Sequence, residues 1–336
     1  MIARKNSDIL LVNPLKYTLA HYEGELREML QQANFRSVEV AVTTPGDGLT
    51  GSLERAQVAV RCVWQRWTMA RQISGQTVVV LWPLFGYFEP LTLLRLARRN
   101  CVYVIVHDPA PLQRSYGQST WAAWVFRATK RIGAIEVIYH TETAQRVGTR
   151  ETGVEGIVVP HPVGRPTPLI EGCDRQIGSA PVVRVLGRFK DTRSLSALDA
   201  IANGAAGTCV LEIHGRGWPK VAGWTVNDAF VAEDDFAALV ESADCVVIPY
   251  DYFFQSGVAV RCLEAGTPIV APRHEHITQL YGSDWPGIVD DQSAWYEAVL
   301  QVLTFDTQCI RDRHRDVFGM VQTAWAELFS RSSATR

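Results

Sequence analysis

The feature that most constrains this chain is a rhythm. Short runs rich in Val, Ile and Leu alternate with longer stretches of helical period along the whole sequence. The apolar runs fall at 9–12, 38–42, 78–82, 102–106, 135–139 and 157–159, and again at 182–186, 209–213, 245–248, 269–271 and 288–289. Most are continuous, not alternating, as expected of strands covered on both faces of a parallel sheet. Between them, Leu19, Tyr22, Leu26, Met29, Leu30 and Ala33 fall on one helical stripe within 17–35. Stretches 194–202 and 234–243 behave similarly, the second entered through Glu233-Asp234-Asp235, which favours a helix N-terminus. Alternation repeated through two halves predicts an α/β chain of two Rossmann-like, doubly wound domains facing across a cleft.

The boundary is legible as punctuation. Pro160, Pro162, Pro166 and Pro168, with Gly164, Gly172 and Gly178, interrupt 160–181, and no periodic pattern survives there. The expected division is 1–165, 166–312 and a helical tail, 313–336, that packs back on the first domain. At roughly 150 residues per domain, a chain of 336 agrees with two. Its 33 basic and 35 acidic side chains nearly cancel, which leaves little net field for gripping nucleic acid, and none is expected as a partner; a local basic patch stays open at this level. The seven cysteines show neither zinc-ligand nor disulfide spacing. Cys101, Cys209 and Cys245 sit in apolar runs and read as small buried hydrophobes, which sets a reducing cytosol as the expected location. The longest apolar stretch, 77–88, is broken by Pro83 and Gly86 and falls short of the roughly 20 residues a membrane span needs.

The segment richest in chemistry runs from Ser242 to Ala271. It reads as strand, loop, short helix, tight turn and strand. Ser256 and Gly257 stand where that helix begins and, with Val258, would present a hydroxyl and unused backbone N–H groups to an anion. Glu264 lies near the other end, where Gly266 and Pro268 stop the helix. A carboxylate there does not favour a phosphate and suits ribose hydroxyls, or else caps a neighbouring turn.

This segment resembles the donor-binding signature of GT-B retaining glycosyltransferases, family 4 in particular. The family pattern is Glu, seven residues, Glu, then a small-x-Gly-x-Pro turn. Here the second Glu is Glu264, and Ser256 stands in the first position, as in a subset where Ser-Gly replaces Glu-x-Phe-Gly. Val185-Leu-Gly-Arg-Phe-Lys190 resembles the first donor-domain strand and its basic loop. The resemblance implies that Gly187 approaches the donor and that Arg188 and Lys190 stabilise the leaving diphosphate. Arg193 competes with Arg188 as the second cation. Leu211-Glu-Ile-His-Gly-Arg-Gly217 resembles the next strand and turn, implying donor contacts at Gly215 and Arg216. Val231, in Phe230–Asp235, falls where relatives read the nucleobase. Asn13, in the first-strand loop, would lie over the diphosphate.

In the first half, His107 ends the run 102–106, where relatives carry a His near the transferred sugar or acceptor. Whether it is catalytic or structural stays open at this level. His161, in Pro160-His-Pro162, matches an interdomain motif and reads as a linker or cleft residue, not a catalyst. The resemblance implies transfer of a hexosyl group from a nucleoside diphosphate sugar to a hydroxyl of a glycan, glycolipid or similar acceptor. It implies retention and no obligatory metal or other cofactor. A silent scaffold or an epimerase of the same fold are the alternatives. There is no Asp-x-Asp metal clamp, and His274-Glu-His276 lacks zinc-ligand spacing. Trp64, Trp67, Trp121 and Trp124 lie at helical three-residue spacing, usual for core. The lesser alternative joins them with Arg61, Arg66, Arg71, Arg127, Lys130 and Arg131 in an acceptor face or a peripheral contact at the inner face of a membrane.

Overall fold

The computed structural model of the protein describes residues 9–15, 19–41, 52–110, 117–132, 135–166 and 180–334. They cluster into two units, Met1–Gly164 with Gly319–Arg336, and Arg165–Phe318.

The first unit runs β1 (Ile9–Asn13), α1 (Ala20–Gln32), β2 (Ser37–Ala41), α2 (Ser52–Gln72), β3 (Thr77–Val80), α3 (Glu89–Ala97), β4 (Cys101–Ile105), α4 (Thr120–Ile132), β5 (Ile135–Tyr139), α5 (Glu142–Thr152) and β6 (Ile157–Val158). Its sheet is parallel throughout, in the order β2-β1-β3-β4-β5-β6. The continuous apolar runs have the predicted cause: every residue of β1 and β3 is buried, so both faces are covered. Right-handed crossovers put α2 to α5 on one face and α1 on the other. Accordingly α2 packs on α3, α3 on α4 and α4 on α5. The first pair is pinned by a buried ion pair, Arg66 Nη2 to Glu89 Oε1 at 2.5 Å. Glu89 Oε2 also accepts from the Phe85 N–H at 3.0 Å.

The second unit runs β7 (Val182–Leu186), α6 (Leu195–Ala205), β8 (Val210–His214), β9 (Thr225–Asn227), α7 (Glu233–Glu241), β10 (Cys245–Val247), α8 (Gly257–Ala265), β11 (Ile269–Pro272), α9 (Glu275–Tyr281), β12 (Ile288–Val289), α10 (Trp295–Leu303) and the start of α11 (Thr307–Ala334). Its sheet is again parallel, ordered β12-β11-β10-β7-β8-β9. From Gly319 onward α11 belongs to the first unit. There the Trp325 indole N–H donates to Pro160 O at 3.0 Å, and the Phe329 ring meets those of Phe35 and Tyr103.

The apolar runs and strands coincide to within a residue or two, except that Val42 lies outside the described residues. One strand has no apolar run to announce it. β9 is an edge strand of sequence Thr-Val-Asn, with both polar residues exposed. Of the punctuated stretch, 161–166 has no regular structure and 167–179 lie outside the described residues. Cys101 and Cys209 are half-buried at strand starts, so only Cys245 of the three is a fully buried hydrophobe.

The tryptophan pairs correct the core reading. Trp64, Trp67, Trp121 and Trp124 are 65%, 38%, 64% and 61% exposed. The buried residues of these helices are others, such as Cys62, Met69, Ala122, Ala123 and Phe126. Three-residue spacing specifies one helix face without saying which face it is. No helix among the described residues is long and apolar enough to cross a membrane.

Candidate functional site

In an open parallel sheet, ligands sit outside the carboxyl ends of the strands, where the strand order reverses. In the second unit that point lies between β7 and β10, which are paired although β8 and β9 intervene in sequence. Two loops leave it, Gly187–Arg193 and Pro249–Ser256. They are tied together: Ser194 N donates to Pro249 O at 2.7 Å, Asp251 N donates to Thr192 O at 2.9 Å, and Arg193 and Tyr250 form a β-bridge.

Arg188 is exposed and Lys190 half-buried, and neither side chain has a hydrogen-bond or carboxylate partner among the described residues. Arg193 is different. Its guanidinium is buried, Nη2 donates to Leu186 O at 2.8 Å, and the group stacks on the rings of Tyr250 and Trp218. Burial holds its pKa below the ordinary arginine value, and its Nε has no partner among the described residues.

At the start of α8 the Ser256 hydroxyl is buried and accepts from Ala259 N at 3.2 Å, so it caps the helix. The N–H groups of Gly257 and Val258 have no partner among the described residues. A side chain at Gly257 would meet nothing within 4 Å. The positive end of α8 therefore carries two unused backbone donors, beginning at an exposed glycine. The Ser256 carbonyl is steadied by buried His276, whose Nε2–H donates to it at 3.4 Å. Burial pushes the His276 pKa down to about 4, so this ring is neutral at pH 7. Glu264 is half-exposed in the last turn of α8, before Gly266 at φ 72° ends the helix. It stands at the negative helix end, so its charge gains nothing from its own helix.

Gly215 and Gly187 serve packing between loops. A Cβ on Gly215, at φ 151°, would lie 2.2 Å from Gly187 O, so only glycine lets these backbones meet. Trp218 Nε1 donates to the same carbonyl at 2.8 Å. Arg216 stacks over Phe230 at 5.0 Å. Phe230 and Val231 line a cavity of about 410 Å³ together with His214, Asn227 and Asp235.

The first unit's carboxyl end is built of rings. His107, after β4, is buried with Nε2 2.9 Å from Leu81 O, and it stacks on Trp82. A carbonyl only accepts, so this nitrogen carries the proton. His140, after β5, donates from Nδ1 to Val159 O at 2.8 Å and accepts at Nε2 from the Tyr22 hydroxyl at 3.0 Å. The Tyr22 ring touches those of His107, His140 and His161. Asn13 is buried, donating to Glu23 Oε2 at 2.8 Å and accepting from Leu15 N at 2.9 Å.

The predicted residues thus divide between the units. His107 and Asn13 stand at the first unit's carboxyl end. Gly187, Arg188, Lys190, Arg193 and Gly215 gather at the second unit's switch point, with Ser256, Gly257 and Val258 on the loop and helix that leave it. Arg216 and Val231 lie on the β8–β9 side. Tyr22, Glu23, His140 and His276 were not foreseen. A signal existed for His140: both β4 and β5 are apolar runs that end in a histidine. His276 looked like half of a failed zinc pair.

No family model matches the chain, and neither does any curated protein sequence. Solved structures do match in fold. An α,α-trehalose-phosphate synthase (UDP-forming) from Burkholderia vietnamiensis aligns at TM-score 0.62 and 12% identity, covering 98% of this chain and 100% of that one. A sucrose-phosphate synthase from Thermosynechococcus elongatus aligns at TM-score 0.67 and 14% identity, covering 98% and 100%. An E. coli structure described as trehalose-6-phosphate bound with UDP-2-fluoro glucose aligns at TM-score 0.62 and 10% identity, covering 97% and 98%. The chain has the GT-B fold, two Rossmann-like units with parallel six-stranded sheets.

Proposed function

We propose that this protein is a retaining glycosyltransferase, moving a hexosyl group from a nucleoside diphosphate sugar to an acceptor hydroxyl without an obligatory metal. One observation carries the reading. At a single switch point the second unit has two side-chain cations without carboxylate partners, Arg188 and Lys190, and two unused backbone donors, Gly257 and Val258. That set suits a dianionic diphosphate and the charge that grows on it as it leaves. Glu264 takes the ribose hydroxyls, and the cavity beside Phe230 and Val231 takes the base. His107 is assigned to the sugar or acceptor.

In the step itself the bond from the anomeric carbon to the diphosphate oxygen breaks on the face where the acceptor oxygen bonds. The acceptor proton passes to the departing phosphate, so no protein base is required. The test incubates the protein with UDP-, GDP- and ADP-sugars, with and without sugar and sugar-phosphate acceptors. Nucleoside diphosphate release that needs an acceptor and disappears in Lys190→Ala is the expected result. Conversion of the sugar without release would make the protein an epimerase.

A silent scaffold is the competing reading, favoured by Ser256, which puts a capping hydroxyl where family 4 relatives carry a carboxylate. Binding of a nucleotide sugar with no turnover under any acceptor would establish it.

A further inference from the structure

The outer surface of α2, α3 and α4 has no role in the function proposed above, yet most of the exposed large hydrophobic side chains among the described residues lie on it. Of fifteen large hydrophobic side chains exposed among the described residues, nine lie on these three helices. On α2 they form a stripe, Leu53, Val60, Trp64 and Trp67, at the spacing of one helix face. Trp121 and Trp124 lie on the outer face of α4, with Leu91 on α3 between.

The charge of this region is as unusual as its apolarity. Residues 52–132 hold eleven basic and three acidic side chains, a net of +8 in a chain whose total is -2. One of the three acids, Glu89, is buried against Arg66. Arg71, Arg95, Arg98 and Arg99 line a groove of about 600 Å³ between α2 and α3 that has no acidic residue in its wall. None of the four has a carboxylate partner among the described residues. Two are held by Trp67, with the Arg71 guanidinium 3.7 Å and that of Arg95 4.9 Å from its ring.

We infer that this face docks on an anionic lipid bilayer, its tryptophans and aliphatic side chains entering the headgroup boundary while the groove arginines take lipid phosphates. Indoles are suited to that boundary, having an apolar body and a donor edge, and guanidinium matches phosphate geometry. The aliphatic members of the stripe discriminate against nucleic acid, which offers them nothing to stack on. The net positive charge discriminates against a second copy, because like faces would repel.

The experiment is sedimentation of the full chain with vesicles of pure phosphatidylcholine, or of phosphatidylcholine with about a third phosphatidylglycerol. Binding to the anionic vesicles alone, weakening as salt rises, is expected. Each arginine near the surface is worth about fivefold in affinity, so Arg71→Gln with Arg95→Gln should cost about 25-fold. Trp121→Ser with Trp124→Ser should cost at least about tenfold with the positive charge intact. Melting curves of both double variants show whether each is folded, and the two act on different helices, so one misfolded variant leaves the other decisive. Absence of binding to anionic vesicles would overturn the inference. So would equal binding by folded variants, tight binding to homopolymer RNA that displaces vesicles, or dimerisation that buries the tryptophans.

Discussion

The two units share an architecture and treat the carboxyl ends of their sheets in opposite ways. In the first, polar groups there are turned on one another: Tyr22 donates to His140, His140 to Val159 O, His107 to Leu81 O and Asn13 to Glu23. In the second, the corresponding place keeps donors in reserve: Arg188, Lys190 and the first two N–H groups of α8. A buried polar group without a partner is costly, whereas an exposed cation or helix end is not. The first unit therefore holds a rigid cluster of rings, and the second can leave a charged mouth open for an anion. The fold alone decides neither outcome. Side chains at equivalent strand ends do.

That contrast can be broken at several points. The largest expected effect is Arg66→Ala, which strands Glu89 inside the first unit. Burial already raises the Glu89 pKa against the pull of Arg66, and removing the partner should cost about 3–5 kcal/mol in denaturant unfolding. Nucleotide affinity of the protein that remains folded should not change. A matching loss of affinity would show that the units do not act separately.

Next is acid sensitivity in the second unit. The native His276 pKa, about 4, lies below the ordinary histidine value of 6.5 because the ring is buried. The unfolded chain therefore binds the proton first. This contribution is complete above pH 6.5 and is lost as pH falls towards 4, amounting to about 2 kcal/mol at pH 5. The loss between pH 7.5 and pH 5, followed by chemical denaturation, should shrink by that amount in His276→Gln. An unchanged pH dependence would remove His276 from the support of Ser256.

The smallest effect separates a cap from a contact. Ser256→Ala should cost about 1 kcal/mol of stability and weaken diphosphate binding by loosening the start of α8. Ser256→Asn, which still caps, should restore both. Failure of Asn to restore binding while it restores stability would mean that the hydroxyl itself touches the donor.

Much of this contrast was legible in the sequence. Continuous apolar runs marked the parallel strands because burial on both faces leaves no polar alternation, and β9 escaped because an exposed edge strand needs no such run. The second unit's candidate site could be assembled from the sequence because its residues are contiguous: Gly187 to Lys190 and Ser256 to Glu264 each sit on one short segment. The first unit's cluster was not, since Tyr22, His107, His140 and His161 meet only through the order β1-β3-β4-β5 and the helix α1. The tryptophan face was misread for a related reason. Spacing fixes that Trp64 and Trp67 share a side of α2, but only the covering of the sheet by α2 to α5 decides that this side points outward.

The central claim is that the switch point of the second unit binds a nucleoside diphosphate through Arg188, Lys190 and the N-terminus of α8. Titration calorimetry with UDP, GDP and ADP tests it directly, on the wild type and on Arg188→Ala with Lys190→Ala. One of the three should bind, and the double variant should lose at least about 100-fold in affinity with its melting temperature unchanged, because each cation contributes a charge-assisted hydrogen bond of about 1.5–3 kcal/mol. Binding that is undiminished in the folded double variant, or no binding of any nucleoside diphosphate by the wild type, would contradict it.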